Sequence, residues 1–484
     1  MANQTLLANG SRFMSVKQMC YSPIAKLENS VLSNMYCFLA HVDPWPIDID
    51  GNSIPPVPSQ DQLSLKNIMK SIFVAKRISS NDISPVIKRI DWLSGTTYQY
   101  YKDTVDMIAS DTNYNLVNFF YVKNRYDQVF KCLWNNSSYD KYGNYISTPP
   151  STSEPYFEPG SYNTNNVYQG TDGYKWKFMY TIDIQSKLNF MDNTWMPVSI
   201  QKYASNPLKF TNAGYGNIDV INVPYGGSGY DAGNTTISVN VVGQNTSPTI
   251  ASAVIVNGTI KDIIITNPGT NYISANVNIT SSPHAGSGAI ALSPVSPIGG
   301  HGSDPLAELG CKNVMITSTF TGPELNSNGL KSIPTDITYY QLGIMVNPTS
   351  LNTAPDNAES ALYTTSTSLI CSSGSGAYIS DEVIYQCPAK FGAPSIKNAT
   401  FTGTVLSFDI ASNIIHVINT TGYLTENETV YTLPITGSGT TRVLFSYNTP
   451  DLITLSGDIM YIDNRSGITR SNDGIEQFKI VLNY

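Results

Sequence analysis

Ser252-Ala-Val-Ile-Val-Asn-Gly-Thr-Ile-Lys-Asp-Ile-Ile-Ile265 decides the fold class. Two β-branched runs flank Asn257-Gly258, a dipeptide suited to a two-residue hairpin turn. The same signals recur around it. Tyr225-Gly-Gly-Ser-Gly-Tyr230 precedes Thr236-Ile-Ser-Val-Asn-Val-Val242, and Asn267-Pro-Gly-Thr-Asn-Tyr272 precedes Ala275-Asn-Val-Asn-Ile-Thr280. A glycine turn ending in Tyr, then a strand, is thus used twice. Two copies are too few for a solenoid. With Ala285-Gly-Ser-Gly-Ala-Ile-Ala291 they outline one small all-β module within 216–300.

Outward from this module the chain stays β-like. Asn34–His41 reads as a strand before the breaker Asp43-Pro-Trp-Pro46, and Pro55-Pro-Val-Pro58 as a turn or polyproline stretch. Asp61 is placed to cap a helix running to about Ile72, and Phe13–Asn29 has the pattern of another short helix. Phe73–Ile78 with Val86–Ile90, and Asn118–Val122 with Gln128–Trp134, read as two strand pairs. A loop rich in Pro, Ser and Tyr covers 147–170, and Lys175–Ile184 alternates like a strand with one buried face. His301-Gly-Ser-Asp-Pro305 resets the chain before strands at Asn313–Ile316 and Tyr339–Val346. Short strands within 356–452 suggest a small barrel or sandwich, and Ile459–Tyr484 reads as a closing hairpin.

The expected fold is therefore mainly β, with β-sandwich or barrel-like modules and a few short helices near the N-terminus. Five segments follow: 1–215, 216–300, 301–355, 356–452 and 453–484. The first, third and fifth would form one discontinuous core. The second and fourth would be inserted modules whose ends lie close together.

Composition narrows function. Charged residues make up 13% of 484, about half the usual quarter. Tyr numbers 31 and the net charge is −8, which argues against disorder and against a general grip on nucleic acid. Cys20, Cys37, Cys132, Cys311, Cys371 and Cys387 form no CxxC pair, and only four His are present. Buried free thiols are expected, with no metal site and no cofactor. The start, Met1-Ala-Asn-Gln-Thr5, has no secretory pattern, and no run is long and apolar enough to span a bilayer.

Catalytic patterns are weak. Gly226-Gly-Ser-Gly229 lacks the context of a phosphate loop or nucleophile elbow and reads as a β-turn. His301 and Asp304 resemble a base and its orienter, but lie where turn and cap roles are commoner. Asp48/Asp50, Glu426/Glu428 and Asp381-Glu382 sit in polar turns. His41 and His416 lie in strand-like runs. The aromatic clusters Tyr98-Gln-Tyr-Tyr101, Phe119-Phe-Tyr121 and Tyr339-Tyr340 suit strand cores or interfaces. No catalytic residue is assigned, and the chain is not expected to be an enzyme.

Six blocks, in order, carry a resemblance. They are Asp43-Pro-Trp45, Val86-Ile-Lys-Arg-Ile-Asp-Trp92, Val129-Phe-Lys-Cys-Leu133, Gly170-Thr-Asp-Gly-Tyr-Lys-Trp-Lys-Phe178, Ile344-Met-Val-Asn-Pro348 and Gly457-Asp-Ile-Met-Tyr-Ile-Asp-Asn-Arg465. Together they resemble the baseplate wedge proteins of T-even-type contractile-tailed bacteriophages, the gene-product-eight family. The likeness covers 1–210, 301–350 and 453–484. It departs after Arg465, where Ser466-Gly467 stand in place of a Pro-Pro pair.

The resemblance implies a structural subunit that holds neighbouring wedge proteins in register. It would lie in the virion, in the tail baseplate, after assembly in the host cytoplasm. The implied partners are other wedge subunits and a second copy of this chain, with no nucleic acid and no membrane spanning. Asp172, Gly173, Tyr174, Trp176 and Phe178, with Gly457, Tyr461, Asn464 and Arg465, would be structural motif residues. The alternative is a virion carbohydrate- or receptor-binding β protein, and an enzyme-class rival is a polysaccharide depolymerase.

Overall fold

The computed structural model describes residues 34–108, 119–159, 166–199, 216–231, 236–282, 286–325, 332–352, 358–374, 376–387, 394–433 and 440–483. The Phe13–Asn29 helix and Cys20 lie outside them. The protein is mainly β. Among the described residues it forms two compact units: one within 84–315 with 481–483, and one within 34–83 with 316–480.

In the first unit a four-stranded antiparallel sheet runs in the order Tyr121–Lys123, Gln128–Trp134, Lys175–Thr181, Val167–Gln169. One face carries Val122, Phe130, Cys132, Trp134, Trp176 and Phe178 into an aromatic core with Tyr98, Tyr100 and Tyr174. Trp195–Pro197 pairs with Ile83–Lys88.

The 216–300 module belongs to this unit and holds the Asn257-Gly258 hairpin. Both turn residues have positive φ, and Val256 faces Thr259 across the turn. The sheet order is Thr259–Asn267, Ile250–Val256, Thr236–Val242, Asn276–Ser282. The two Tyr turns are structurally equivalent. Tyr230 N–H donates to Gly258 O at 3.0 Å, and Tyr272 N–H donates to Gly216 O at 3.0 Å. Both phenols accept backbone N–H groups, Tyr230 from Ala289 and Tyr272 from Thr249. Both rings fill the module core beside Ile218, Ile221, Ile260 and Ile263. The module's ends meet. Ser296 N–H donates to Asn217 O, and Asn217 N–H donates to Ser296 Oγ.

The second unit holds a five-stranded sheet ordered Leu362–Thr364, Ile72–Arg77, Met35–Ala40, Ile337–Val346, Asp458–Arg470. Tyr36, Phe38, Ala40, Ala75 and Met345 pack below the Gln62–Ser71 helix, whose Ile68 joins them. Asp61 caps that helix, accepting from Leu63 N–H and Ser64 N–H. Six strands between Thr367 and Asn448 close into a barrel around Leu369, Ile384, Val405, Val417, Val430 and Leu444. Its ends also meet, with Ser350 bridged to Leu452.

Three expectations need correction. Ile72–Arg77 and Ile83–Lys88 do not pair with each other; the first pairs with Met35–Ala40 and Leu362–Thr364, the second with Trp195–Pro197. Asp458–Arg470 and Ile475–Asn483 are not a hairpin ladder. The first edges the five-stranded sheet, while the second lies beside Asn313–Thr321. Lys175–Thr181 buries both faces, and the chain then turns into an Ile184–Phe190 helix capped by Asp183. The few short helices include Ile184–Phe190 and Pro305–Glu308.

Candidate functional site

The motif residues form two separate braces. Asp172 gathers a loop: its Oδ2 accepts from Ser151 Oγ, Thr152 N–H and Ser153 N–H at 2.7–3.0 Å. Its Oδ1 accepts from Tyr174 N–H, and its carbonyl accepts from Asn136 Nδ2. Gly173 has φ +84°, and a Cβ there would lie 2.5 Å from Asn136 Nδ2, so the turn requires glycine. Tyr174 stacks on Trp176 at 5.7 Å and donates to Pro149 O. Trp176 meets the Tyr98 ring edge-on, and Phe178 packs on Phe130 and Phe157. All three rings are buried core.

The second brace joins three resemblance blocks. Gly457 has φ +78°, and a Cβ there would lie 2.7 Å from Val346 O and 2.9 Å from Pro348 N. Tyr461 pairs with Ile344. Asn464 accepts from Gln341 Nε2 at 2.7 Å and donates through Nδ2 to Pro56 O at 2.8 Å. Arg465 O accepts from Trp45 Nε1 at 2.7 Å, while its guanidinium pairs with Asp463. The 43–58 loop is thus anchored at Trp45 and Pro56. Within it, Asp48 accepts from Asp50 N–H and Asn52 N–H. The loop exposes Ile47 (71%), Ile49 (101%), Ile54 (52%) and Val57 (91%).

A third feature escaped the sequence reading. Lys131, Lys175 and Lys177 project from the face of the four-stranded sheet opposite its aromatic core, and all three are buried. Lys177 Nζ lies 3.0 Å from Asp219 Oδ2, and Lys175 Nζ lies 2.8 Å from Asp262 Oδ1. Both carboxylates come from the 216–300 module. Lys131 Nζ reaches Glu308 Oε2 and His301 Nδ1, each at 3.2 Å, beneath the Tyr101 ring. Asn222 Nδ2 donates to Leu133 O, and Tyr101 Oη donates to Val295 O. The module is keyed onto the sheet by buried ion pairs. Burial alone would raise the Asp262 and Glu308 pKa values, but Lys175 and Lys131 hold them below the usual range. Burial, aided by the Lys131 ammonium, pushes His301 down to about 4. Its Nδ1 therefore accepts from Lys131 and its ring is neutral.

The residues in catalytic-type patterns make the following contacts. Asp304 caps the Pro305–Glu308 helix, and His301 faces Lys131 and Glu308. Asp381 binds His41, and Glu382 accepts from Ile379 N–H. His416 lies against Ser368 Oγ in the barrel. Gly227 and Gly229 both take positive φ in a turn where Ser228 bridges Ser287. Cys37, Cys132, Cys311, Cys371 and Cys387 are buried and form no disulfide. An open cleft of about 370 Å³ is lined by Trp92, Arg89, Asp91, Lys123, Arg125 and Glu154. Its carboxylates are ion-paired, Asp91 with Arg89 and Lys123, and Glu154 with Arg125. Among the described residues no group of three or more His, Cys, Asp or Glu is arranged to hold a metal ion. No helix among them is long and apolar enough to cross a membrane.

Compared with known proteins, the chain matches no family model and no curated protein sequence.

Proposed function

We propose that this chain is a structural subunit of the baseplate wedge of a contractile phage tail, holding neighbouring wedge proteins in register. The reading rests on the six ordered blocks, and one structural observation carries it. Two of those blocks meet at the Trp45–Arg465 bond, which together with the Asn464–Pro56 bond fixes a proline-rich loop. That loop presents four large apolar side chains to solvent. Covering one such side chain is worth roughly 1.5–3 kcal/mol. A pre-set apolar loop of this kind suits a permanent contact with a neighbouring subunit. The test is Ile49→Asp together with Val57→Asp. Unchanged melting with failed incorporation into tails supports the reading; normal incorporation overturns the loop's role.

A second reading, carbohydrate or receptor binding, has support from the barrel. Val443, Phe445 and Tyr447 occupy alternate exposed positions on the Thr441–Asn448 strand. Aromatic side chains in such a row stack on sugar rings. Glycan-array binding that Phe445→Ala abolishes would favour this second reading.

A further inference from the structure

His41 follows the Met35–Ala40 strand and is buried, with its backbone N–H donated to Ser71 O at 3.0 Å. Each ring nitrogen faces a group that only accepts. Nε2 lies 2.6 Å from Asp381 Oδ1, and Nδ1 contacts the Thr338 carbonyl. A neutral imidazole carries one N–H and satisfies one of these; only imidazolium donates to both. Thr338 belongs to the Ile337–Val346 strand of the five-stranded sheet. Asp381 belongs to the loop between two barrel strands, Thr367–Cys371 and Val383–Gln386. That loop is fixed within the barrel, since Asp381 N–H donates to Val405 O and Ser380 Oγ donates to Leu406 O. Asp381 takes a left-handed φ of +71°, uncommon for a residue with a side chain. The conformation aims its carboxylate at His41.

We propose that His41 is a protonation-dependent pin: as imidazolium it ties the Asp381 loop of the barrel to the five-stranded sheet, and on losing one proton to solvent it gives up one of the two bonds, so barrel docking loosens in alkaline solution. The inference is independent of the wedge reading.

Four groups face the ring: the Asp381 and Asp43 carboxylates, the Thr338 carbonyl and the Tyr340 ring at 6.0 Å. Burial disfavours the charged ring, but Asp381, Thr338 and Asp43 outweigh it and hold the pKa above the ordinary histidine value. Burial also raises the Tyr340 phenol, which stays neutral. The folded pKa lies above the unfolded one. The pin's stabilisation is therefore complete below the ordinary histidine value and lost as pH rises through the folded value.

The experiment uses the full chain, ¹³C-labelled at histidine, as wild type and as Asp381→Asn. Ring shifts and melting temperature are followed from about pH 5.5 to about pH 9, the range bracketing histidine titration. The wild-type ring is expected to stay imidazolium above the ordinary histidine value. In the variant its midpoint falls by about one unit or more, the usual effect of removing an adjacent opposite charge. The melting gap between the two proteins should be widest in mild acid and close in alkali. His41→Gln, which keeps a donor for Asp381, should remove the pH dependence of that gap. A ring already neutral at pH 6, or a gap constant across the range, overturns the proposal. A merely structural bond would give that constant gap.

Discussion

Removing Asp219 should do more damage than its place in an inserted module suggests. Asp219→Ala deletes the carboxylate facing Lys177, whose Nζ sits 3.0 Å from Asp219 Oδ2 with both side chains almost fully buried, at 2% and 3% exposure. The buried ammonium loses the carboxylate facing it, and Lys131 stands opposite it in the strand register. Removing one partner of a buried pair costs about 3–5 kcal/mol. Urea unfolding provides the assay, because Trp92, Trp134, Trp176 and Trp195 all lie in this unit. With a slope of about 3 kcal/mol per M, the midpoint should fall by roughly 1–1.7 M. The double variant Asp219→Ala with Lys177→Met removes both charges and should recover to within about 1 kcal/mol of wild type. A single variant shifted by less than about 0.3 M would refute the reasoning. So would a double variant no better than the single, because it would place the cost in packing and not in the lost ion pair.

Other expectations follow from the same packing. Trp176→Ala empties the aromatic core between Tyr98 and Tyr174 and should cost about 3–5 kcal/mol, read as a fall in melting temperature; unchanged melting would remove Trp176 from the core. Gly457→Ala forces a Cβ against Val346 O at positive φ and should cost roughly 1–3 kcal/mol by chemical denaturation. Acid should weaken the first unit. His301 is held at about 4 against an ordinary 6.5, so its contribution is full above 6.5 and lost as pH falls toward 4. Glu308 and Asp262, with depressed values, add further loss below that window. Melting scans across this range should show a decline that Lys131→Met alters, and a flat profile would contradict the assignment.

Local signals carried the legible part of this fold. Asn257-Gly258 needs positive φ at both positions and makes its turn wherever the flanking strands pack. Asp61 caps its helix with its own side chain, and the Tyr121–Trp134 hairpin joins neighbours in sequence. Non-local packing decided the rest. Lys175-Trp-Lys-Phe178 alternates like a strand with one wet face, yet that face is roofed by Asp219 and Asp262, contributed from 42 and 87 residues further on. Ile72–Arg77 and Ile83–Lys88 are adjacent in the chain and pair elsewhere, against the usual tendency of sequential strands. The closing strands fail as a hairpin for the same reason. The motif blocks stood out in sequence through their aromatic and glycine content. The bonds from Asn464 and Arg465 to the 43–58 loop join residues about 400 positions apart, beyond any periodicity.

Electron cryo-microscopy of intact contractile tails tests the assembly proposal most directly. The wedge proposal requires density for this chain in the baseplate, with Ile47, Ile49, Ile54 and Val57 buried against a neighbouring subunit. Density at a fibre tip, or a baseplate position with that loop facing solvent, would contradict it.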